Sequence, residues 1–204
     1  MSLVKICGLK RECDIDYVNR YKPDFAGFVF SKSKRQITPQ QAERLKAKLN
    51  SDIKAVGVFV NEPVEFISDL CNKNIIDIIQ LHGDEDENYI VKLKELSDRP
   101  IIKAVRVQST AQVLSAEKIE CDYLLLDAYY ENEYGGVGKV FNWNIIPQLK
   151  KPFFLAGGLN SENVATAIKQ VKPYCVDLSS GAETDGYKDE NKIKIIIKEV
   201  RRTK

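Results

Sequence analysis

Histidine is nearly absent from this chain of 204 residues: His82 is the only one. A histidine-rich metal site is therefore excluded, and so is a nucleophile–histidine–acid triad unless His82 supplies its base. No cysteine stands in a C-x-x-C pair, and the five present, Cys7, Cys13, Cys71, Cys121 and Cys175, are odd in number. That is the pattern of reduced thiols in a cytoplasmic protein, not of a disulfide framework. No apolar run approaches the ~20 residues of a membrane span. The opening Met1-Ser2-Leu3-Val4-Lys5 leads directly into an apolar run and does not read as a signal peptide. Neither sign of charge dominates. A formal charge of +2 with both signs scattered leaves no electrostatic footprint for nucleic acid or an anionic membrane. No linker, low-complexity tract or second domain interrupts the chain, so one domain over residues 1–204 is expected.

What is present is a rhythm. Hydrophobic residues make up 44% and charged residues 29%, which is the balance of a globular chain. A strand-then-helix unit recurs about every 25 residues. Short apolar runs at 3–7, 25–30, 54–60, 75–81, 101–107, 123–127, 153–156 and 175–178 read as strands. Amphipathic segments at 11–21, 39–50, 63–73, 87–97, 111–119, 161–170 and 188–201 read as helices, with a further short helix around 143–149. Near-continuous apolar strands alternating with amphipathic helices imply a parallel sheet covered on its outer face. Eight such units predict a (β/α)₈ TIM barrel at the small end of its size range. An open doubly wound sheet is the competitor, but no G-x-G-x-x-G follows the first strand.

A barrel places chemistry at the C-terminal ends of its strands, with phosphate commonly bound after the seventh and eighth. Here those strands end in Ala156-Gly157-Gly158-Leu159-Asn160 and Asp177-Leu178-Ser179-Ser180-Gly181. Glycines let backbone N–H groups approach a ligand, and a helix N-terminus favours an anion. Asn160 and Ser161 are candidate caps for the helix that follows. Two such turns side by side would form a phosphate cup; the alternative is two ordinary turns.

The other strand ends carry candidate chemistry. In Lys5-Ile6-Cys7-Gly8 the alternation of a strand points Lys5 and Cys7 to one face, inward. A thiol there acts as base or nucleophile if a cation lowers its pKa; otherwise it is a small buried hydrophobe. Strand two runs into Ser33-Lys34-Arg35, where Arg35 either grips a carboxylate with two donors or belongs to a solvated basic loop. Strand four ends Gln80-Leu81-His82-Gly83-Asp84; His82 lines the mouth or satisfies a loop carbonyl, and Asp84 is a candidate helix cap. Strand six ends at Asp127, a carboxyl able to protonate a sugar oxygen, or else a helix cap or a lysine's partner. Asp177 is expected to face inward and to join Lys5 and Lys103 in a buried ion network. The glycine-rich loop at 134–143 lacks the spacing and ending of a P-loop and suits a flap over the mouth.

Taken in order, these pieces resemble the phosphoribosylanthranilate isomerase family, barrel enzymes of tryptophan biosynthesis. The matching segments are Lys5-Ile6-Cys7-Gly8-Leu9, Gly27-Phe28-Val29-Phe30 with Ser33-Lys34-Arg35, Val58-Phe59-Val60-Asn61 and Gln80-Leu81-His82-Gly83-Asp84. They continue with Leu126-Asp127, Gly135-Gly136-Val137-Gly138-Lys139, Leu155-Ala156-Gly157-Gly158-Leu159 and Asp177-Leu178-Ser179-Ser180-Gly181. The resemblance covers nearly the whole chain. It implies an Amadori rearrangement of N-(5'-phosphoribosyl)anthranilate to 1-(2-carboxyphenylamino)-1-deoxyribulose 5-phosphate. It implies Asp127 as general acid, Cys7 as general base and Arg35 on the anthranilate carboxylate. Gly157, Gly158, Ser180 and Gly181 then hold the phosphate, with Lys5, His82 and Asp177 as supporting groups. No metal or organic cofactor is implied, the only partner being a phosphorylated small molecule, and the chain is expected as a monomer or homodimer. Three positions depart from the family pattern: Val137 in place of Thr, Asn142 in place of Asp before Trp143, and Cys13 in place of an acid. Indole-glycerol-phosphate synthase, a metal-dependent epimerase and a non-catalytic phosphometabolite-binding barrel are the competing readings. The first relies on catalytic lysines and a longer N-terminal segment, the second needs several histidines, and the third has no use for both Cys7 and Asp127.

Overall fold

The apolar runs close on themselves. In a computed structural model of the chain, which describes residues 2–129 and 141–203, eight parallel strands form a closed barrel in sequence order. They are β1 (Leu3–Cys7), β2 (Phe25–Val29), β3 (Lys54–Phe59), β4 (Ile78–Leu81), β5 (Ile101–Val107), β6 (Tyr123–Ala128), β7 (Phe153–Leu155) and β8 (Cys175–Leu178). Closure is made by β8 against β1, with Leu3 opposite Cys175 and Lys5 opposite Asp177. Among the described residues seven helices follow in turn: α1 (Glu12–Tyr21), α2 (Pro39–Lys48), α3 (Val64–Asn72), α4 (Glu87–Leu96), α5 (Thr110–Ala116), α6 (Val164–Val171) and α7 (Glu190–Arg202). No helix among the described residues is long and apolar enough to cross a membrane.

Most strand positions are apolar on both faces because each face meets a different core. Outward-facing Val4, Ile6, Ala26, Phe28, Phe59, Ile79, Leu124 and Val176 pack under the helices. Inward-facing Phe25, Val56, Ile78, Ile102, Leu125, Phe154 and Cys175 fill the lower barrel as a separate cluster. The period of two is thus present but hidden, since both partners of the alternation are hydrophobic.

Several element ends differ from those read in the sequence, each for a local reason. The fourth strand starts at Ile78, not at residue 75, because Asn74 takes a left-handed φ of 55° and ends α3 in a Schellman turn. The Ile75 amide donates to Leu70 and the Asn74 amide to Cys71, so Ile75 is the apolar contact that closes a helix. The cap of α4 is Asp86, whose carboxylate accepts from the Tyr89 amide at 2.8 Å, and not Asp84, which pairs with Arg106. At α6 Asn160 accepts from the amides of Glu162 and Asn163, so residues 161–163 form a turn and the helix proper begins at Val164. The short helix expected at 143–149 is a single 3-10 turn at Trp143–Ile145. Pro147 holds the preceding Ile146 extended and stops it. A small hairpin, β9 (Glu183–Thr184) with β10 (Tyr187–Lys188), precedes α7 and was not anticipated.

Candidate active site

At the C-terminal mouth a cavity of about 370 Å³ opens among the strand ends. Cys7, Arg35, His82, Asp127, Gly157, Gly158, Asp177 and Ser180 all line it. Of the remaining candidates, Lys5 lies fully buried beneath Cys7, and Gly181 is not on the cavity wall. The flap residues 134–140 lie outside the described residues. Of the three departures, Val137 is therefore outside them and Cys13 falls on α1. Asn142 accepts from the Asn144 amide at 3.0 Å, the capping work an Asp would do there.

Cys7 owes its place to a missing side chain. A Cβ at Gly27 on the neighbouring strand would stand 2.7 Å from the Cys7 sulfur and 2.9 Å from its Cα. Two residues below, the Lys5 ammonium donates to Asp177 at 2.8 Å. Burial alone would lower the Lys5 pKa, but the Asp177 carboxylate and the neighbouring Cys7 together outweigh it and hold Lys5 above its ordinary value. The thiol does not follow the expectation that a cation would lower its pKa. Burial pushes Cys7 up, Asp177 adds to the rise, and the charges of Lys5 and Lys188 offset only part of it. The wider ion network is also smaller than expected. Lys103 points to the outer face of the barrel and pairs with Glu85 at 2.6 Å, because its neighbours Ile102 and Ala104 are the inward-facing residues of that strand.

Asp127 is the penultimate residue of β6, and its Oδ1 accepts from the Ala128 amide at 2.8 Å. Its Oδ2 lies 3.2 Å from His82 Nε2, close but without hydrogen-bond alignment. The Gln80 amide nitrogen is 2.9 Å from His82 Nδ1, and donating there it leaves the imidazole proton on Nε2, facing Asp127. Of the two roles considered for His82, the structure has it lining the mouth. Two buried oxygens on the cavity wall, Gln80 Oε1 and Asp177 Oδ1, accept nothing from any described residue, and a buried acceptor without a donor is costly in a site that stays dry.

The β7 and β8 turns abut. Gly157 has a φ of +84°, and a Cβ there would meet the Ala128 amide at 2.7 Å and Asp127 Oδ1 at 3.1 Å. A Cβ on Gly181 would fall 1.9 Å from the Leu159 carbonyl oxygen. Gly181 thus brings the two turns together from behind, while Gly157, Gly158 and Ser180 present themselves to the cavity.

Arg35 is buried, not solvated. Its Nε and Nη2 donate to the two oxygens of Glu183 at 2.7 and 2.8 Å. Lys188 donates to the same carboxylate at 2.6 Å and to the Ser179 carbonyl at 3.1 Å. Glu183 and Lys188 escaped the sequence reading, yet a signal was available. Asp185-Gly186, flanked by Thr184 and Tyr187, is a strong hairpin turn signal, and both residues adopt positive φ. That turn sets Lys188 opposite Glu183.

Comparison with known proteins points one way. Residues 4–199 match the family model described as N-(5'phosphoribosyl)anthranilate (PRA) isomerase. The N-(5'-phosphoribosyl)anthranilate isomerase of Endomicrobium trichonymphae is 51% identical over 201 residues, covering 98% of this chain and 99% of the relative. The crystal structure of the phosphoribosyl anthranilate isomerase from Thermotoga maritima superposes with a TM-score of 0.87 at 36% identity, covering 99% of this chain and all of that one. A further isomerase structure, in complex with reduced 1-(o-carboxyphenylamino)-1-deoxyribulose 5-phosphate, has a TM-score of 0.83 at 35% identity, with 99% of this chain and 100% of that one covered.

Proposed function

The chain belongs to the N-(5'-phosphoribosyl)anthranilate isomerase family, and from that premise we propose that Asp127 and Cys7 carry its aldose–ketose isomerisation. The Asp127 carboxyl gives its proton to the ring oxygen of the phosphoribosyl group. The C1–O bond breaks and the anilino nitrogen's lone pair forms the C=N bond of an open-chain Schiff base. The Cys7 thiolate removes the proton from C2, and the electron pair of that C–H bond moves to form the enolamine. Tautomerisation then delivers the 2-ketone, 1-(2-carboxyphenylamino)-1-deoxyribulose 5-phosphate.

The observation that carries this reading is that a thiol, a carboxyl group and two abutting glycine turns share one cavity wall. Strands β6 and β1 are three steps apart round the barrel, so an acid and a base reach one sugar from separate directions. His82, whose Nε2 lies 3.2 Å from Asp127 Oδ2, stabilises the carboxylate that Asp127 becomes once its proton has left. Lys5, beneath the thiol, favours the thiolate that C2 deprotonation requires, and Asp177 Oδ1 is an acceptor suited to a sugar hydroxyl. Arg35 takes the anthranilate carboxylate, and Gly157, Gly158 and Ser180 take the phosphate, with Gly181 holding their turns together. The scheme needs no metal or organic cofactor, and the five thiols fit a reducing, cytoplasmic setting. A monomer or a homodimer serves it equally.

The test is the fluorescence-monitored consumption of phosphoribosylanthranilate by the purified chain and by its Cys7→Ser and Asp127→Asn variants. Turnover should collapse in both while the reduced product still binds. Near-normal turnover in both would refute the assigned roles.

A further inference from the structure

Behind Arg35 lies a buried cluster that the reaction scheme leaves without a task. Arg35, Glu183 and Lys188 are all buried, and together they hold two positive charges and one negative. Burying charges seldom improves stability, because desolvation offsets the attraction. Glu183 meets Arg35 across 148 residues of sequence, with each carboxylate oxygen on a separate guanidinium nitrogen. A guanidinium has five N–H donors in one rigid plane. The Glu183 pair uses the edge formed by Nε and Nη2, which leaves Nη1 and the second hydrogen of Nη2 for a ligand. The stem of Arg35 is held as tightly: a Cβ at Gly8, whose φ is +87°, would lie 2.4 Å from the Arg35 Cδ. The hairpin that carries Glu183 is itself tied down, since Arg11 donates to the Lys188 carbonyl at 2.8 Å and Lys188 to the Ser179 carbonyl.

We infer that Glu183 is a positioning residue for carboxylate recognition: it fixes the plane of the Arg35 guanidinium so that the outer edge of its fork stands in the cavity wall as a preset receptor for a planar carboxylate. Lys188 holds Glu183 in turn and links it to the β8 turn. The receptor for the carboxylate and the cup for the phosphate are thereby braced by one hairpin at a set separation. This rests on the reading of Arg35 given above. Preorganisation of this kind acts on affinity by lowering the cost of ordering the fork when ligand binds.

The experiment is a double-mutant cycle read by calorimetric binding. The ligands are reduced 1-(2-carboxyphenylamino)-1-deoxyribulose 5-phosphate and the same molecule without its carboxyl group. Glu183→Gln should weaken the carboxylate ligand about tenfold and the decarboxylated one less than about twofold. In an Arg35→Ala background the Glu183→Gln penalty should vanish, since the group it acts through is gone. Equal weakening of both ligands, or a penalty that persists without Arg35, overturns the inference. If Arg35→Ala itself fails to discriminate between the ligands, the Arg35 reading falls and this inference with it. Should Glu183→Gln not fold, Glu183→Asp, which keeps the charge but withdraws it by one methylene, is read on the same two ligands with the same outcomes.

Discussion

Cys7 and Cys175 are both inward-facing thiols near the ends of neighbouring strands, yet their surroundings differ. Cys175 is level with Leu3 in the sealed lower barrel, fully buried in the cluster of Phe25 and Phe154. Cys7 is two layers higher, on the cavity wall above Lys5 and Asp177. Burial raises both pKa values, and Lys5 opposes the rise in each case. What separates them is access. One strand face therefore passes from packed apolar, to paired charge, to open chemistry within the five residues Leu3–Cys7. The lower layer needs only volume and hydrophobicity, whereas the upper layer needs named partners.

The sharpest way to break that contrast is to exchange function for packing. Cys7→Ser and Asp127→Asn should each cut turnover by roughly 10²–10⁴-fold, the usual worth of a positioned acid or base. The folding free energy should change little by comparison, as steady-state assay and urea denaturation together would report. Phe154→Ala, at the centre of the lower layer among the rings of Phe25, Tyr123 and Tyr174, should cost about 3–5 kcal/mol of stability. Its KM should stay within the range of the parent. A large KM change there would mean that the two layers are mechanically coupled.

Smaller effects sharpen the picture. Gly27→Ala should destabilise by about 1–3 kcal/mol through overpacking, and Cys7→Ala in the same chain should restore only part of it, since the Cys7 Cα at 2.9 Å and Cβ at 3.1 Å remain. Failure of the double variant to recover would show that the backbone contact at Cys7 Cα matters more than the sulfur. Glu183 supplies a pH signature. Burial would raise its pKa, but the Arg35 hydrogen bonds and the charge of Lys188 bring it down to about 2 from an ordinary 4.5. A carboxyl with a depressed folded pKa stabilises the protein above its unfolded value and loses that contribution as pH falls through the folded one. The gap in Tm between the parent and Glu183→Gln should thus be full above pH about 4.5 and close toward pH 2. A gap independent of pH over that span would contradict the pairing. Last, iodoacetamide labelling followed by peptide mapping should modify Cys7 with a midpoint above the ~8.5 of an unperturbed thiol. Cys175 should stay unlabelled until the chain unfolds; equal labelling of the two would erase the contrast.

Much of the architecture was legible because it depends on local pattern. Eight apolar runs separated by amphipathic segments specify a covered parallel sheet, and alternation along Lys5-Ile6-Cys7 indicated which side chains face inward. Where the reading slipped, a local competitor was at work: a Schellman turn absorbed Ile75, Pro147 truncated the short helix, and Asp86 capped α4 in place of Asp84. Lys103 was assigned to the wrong face because lysine in a strand suggests an ion pair without saying on which side. The Asp-Gly turn at 185–186 was readable and went unread, and Glu183 and Lys188 were lost with it.

By itself the sequence determined the strand count, the inward face of Lys5 and Cys7 on the first strand, and the family to which the ordered strand ends conform, since these follow from hydrophobic periodicity and motifs a few residues long. Only the closed barrel decided who meets whom: Arg35 with Glu183, His82 with Asp127, Lys5 with Asp177. It also decided that the Cys7 thiol lies above its ordinary pKa and not below. A partner's identity and a thiol's desolvation depend on atoms brought together from residues as far as 148 and 172 positions apart. No window of sequence contains them.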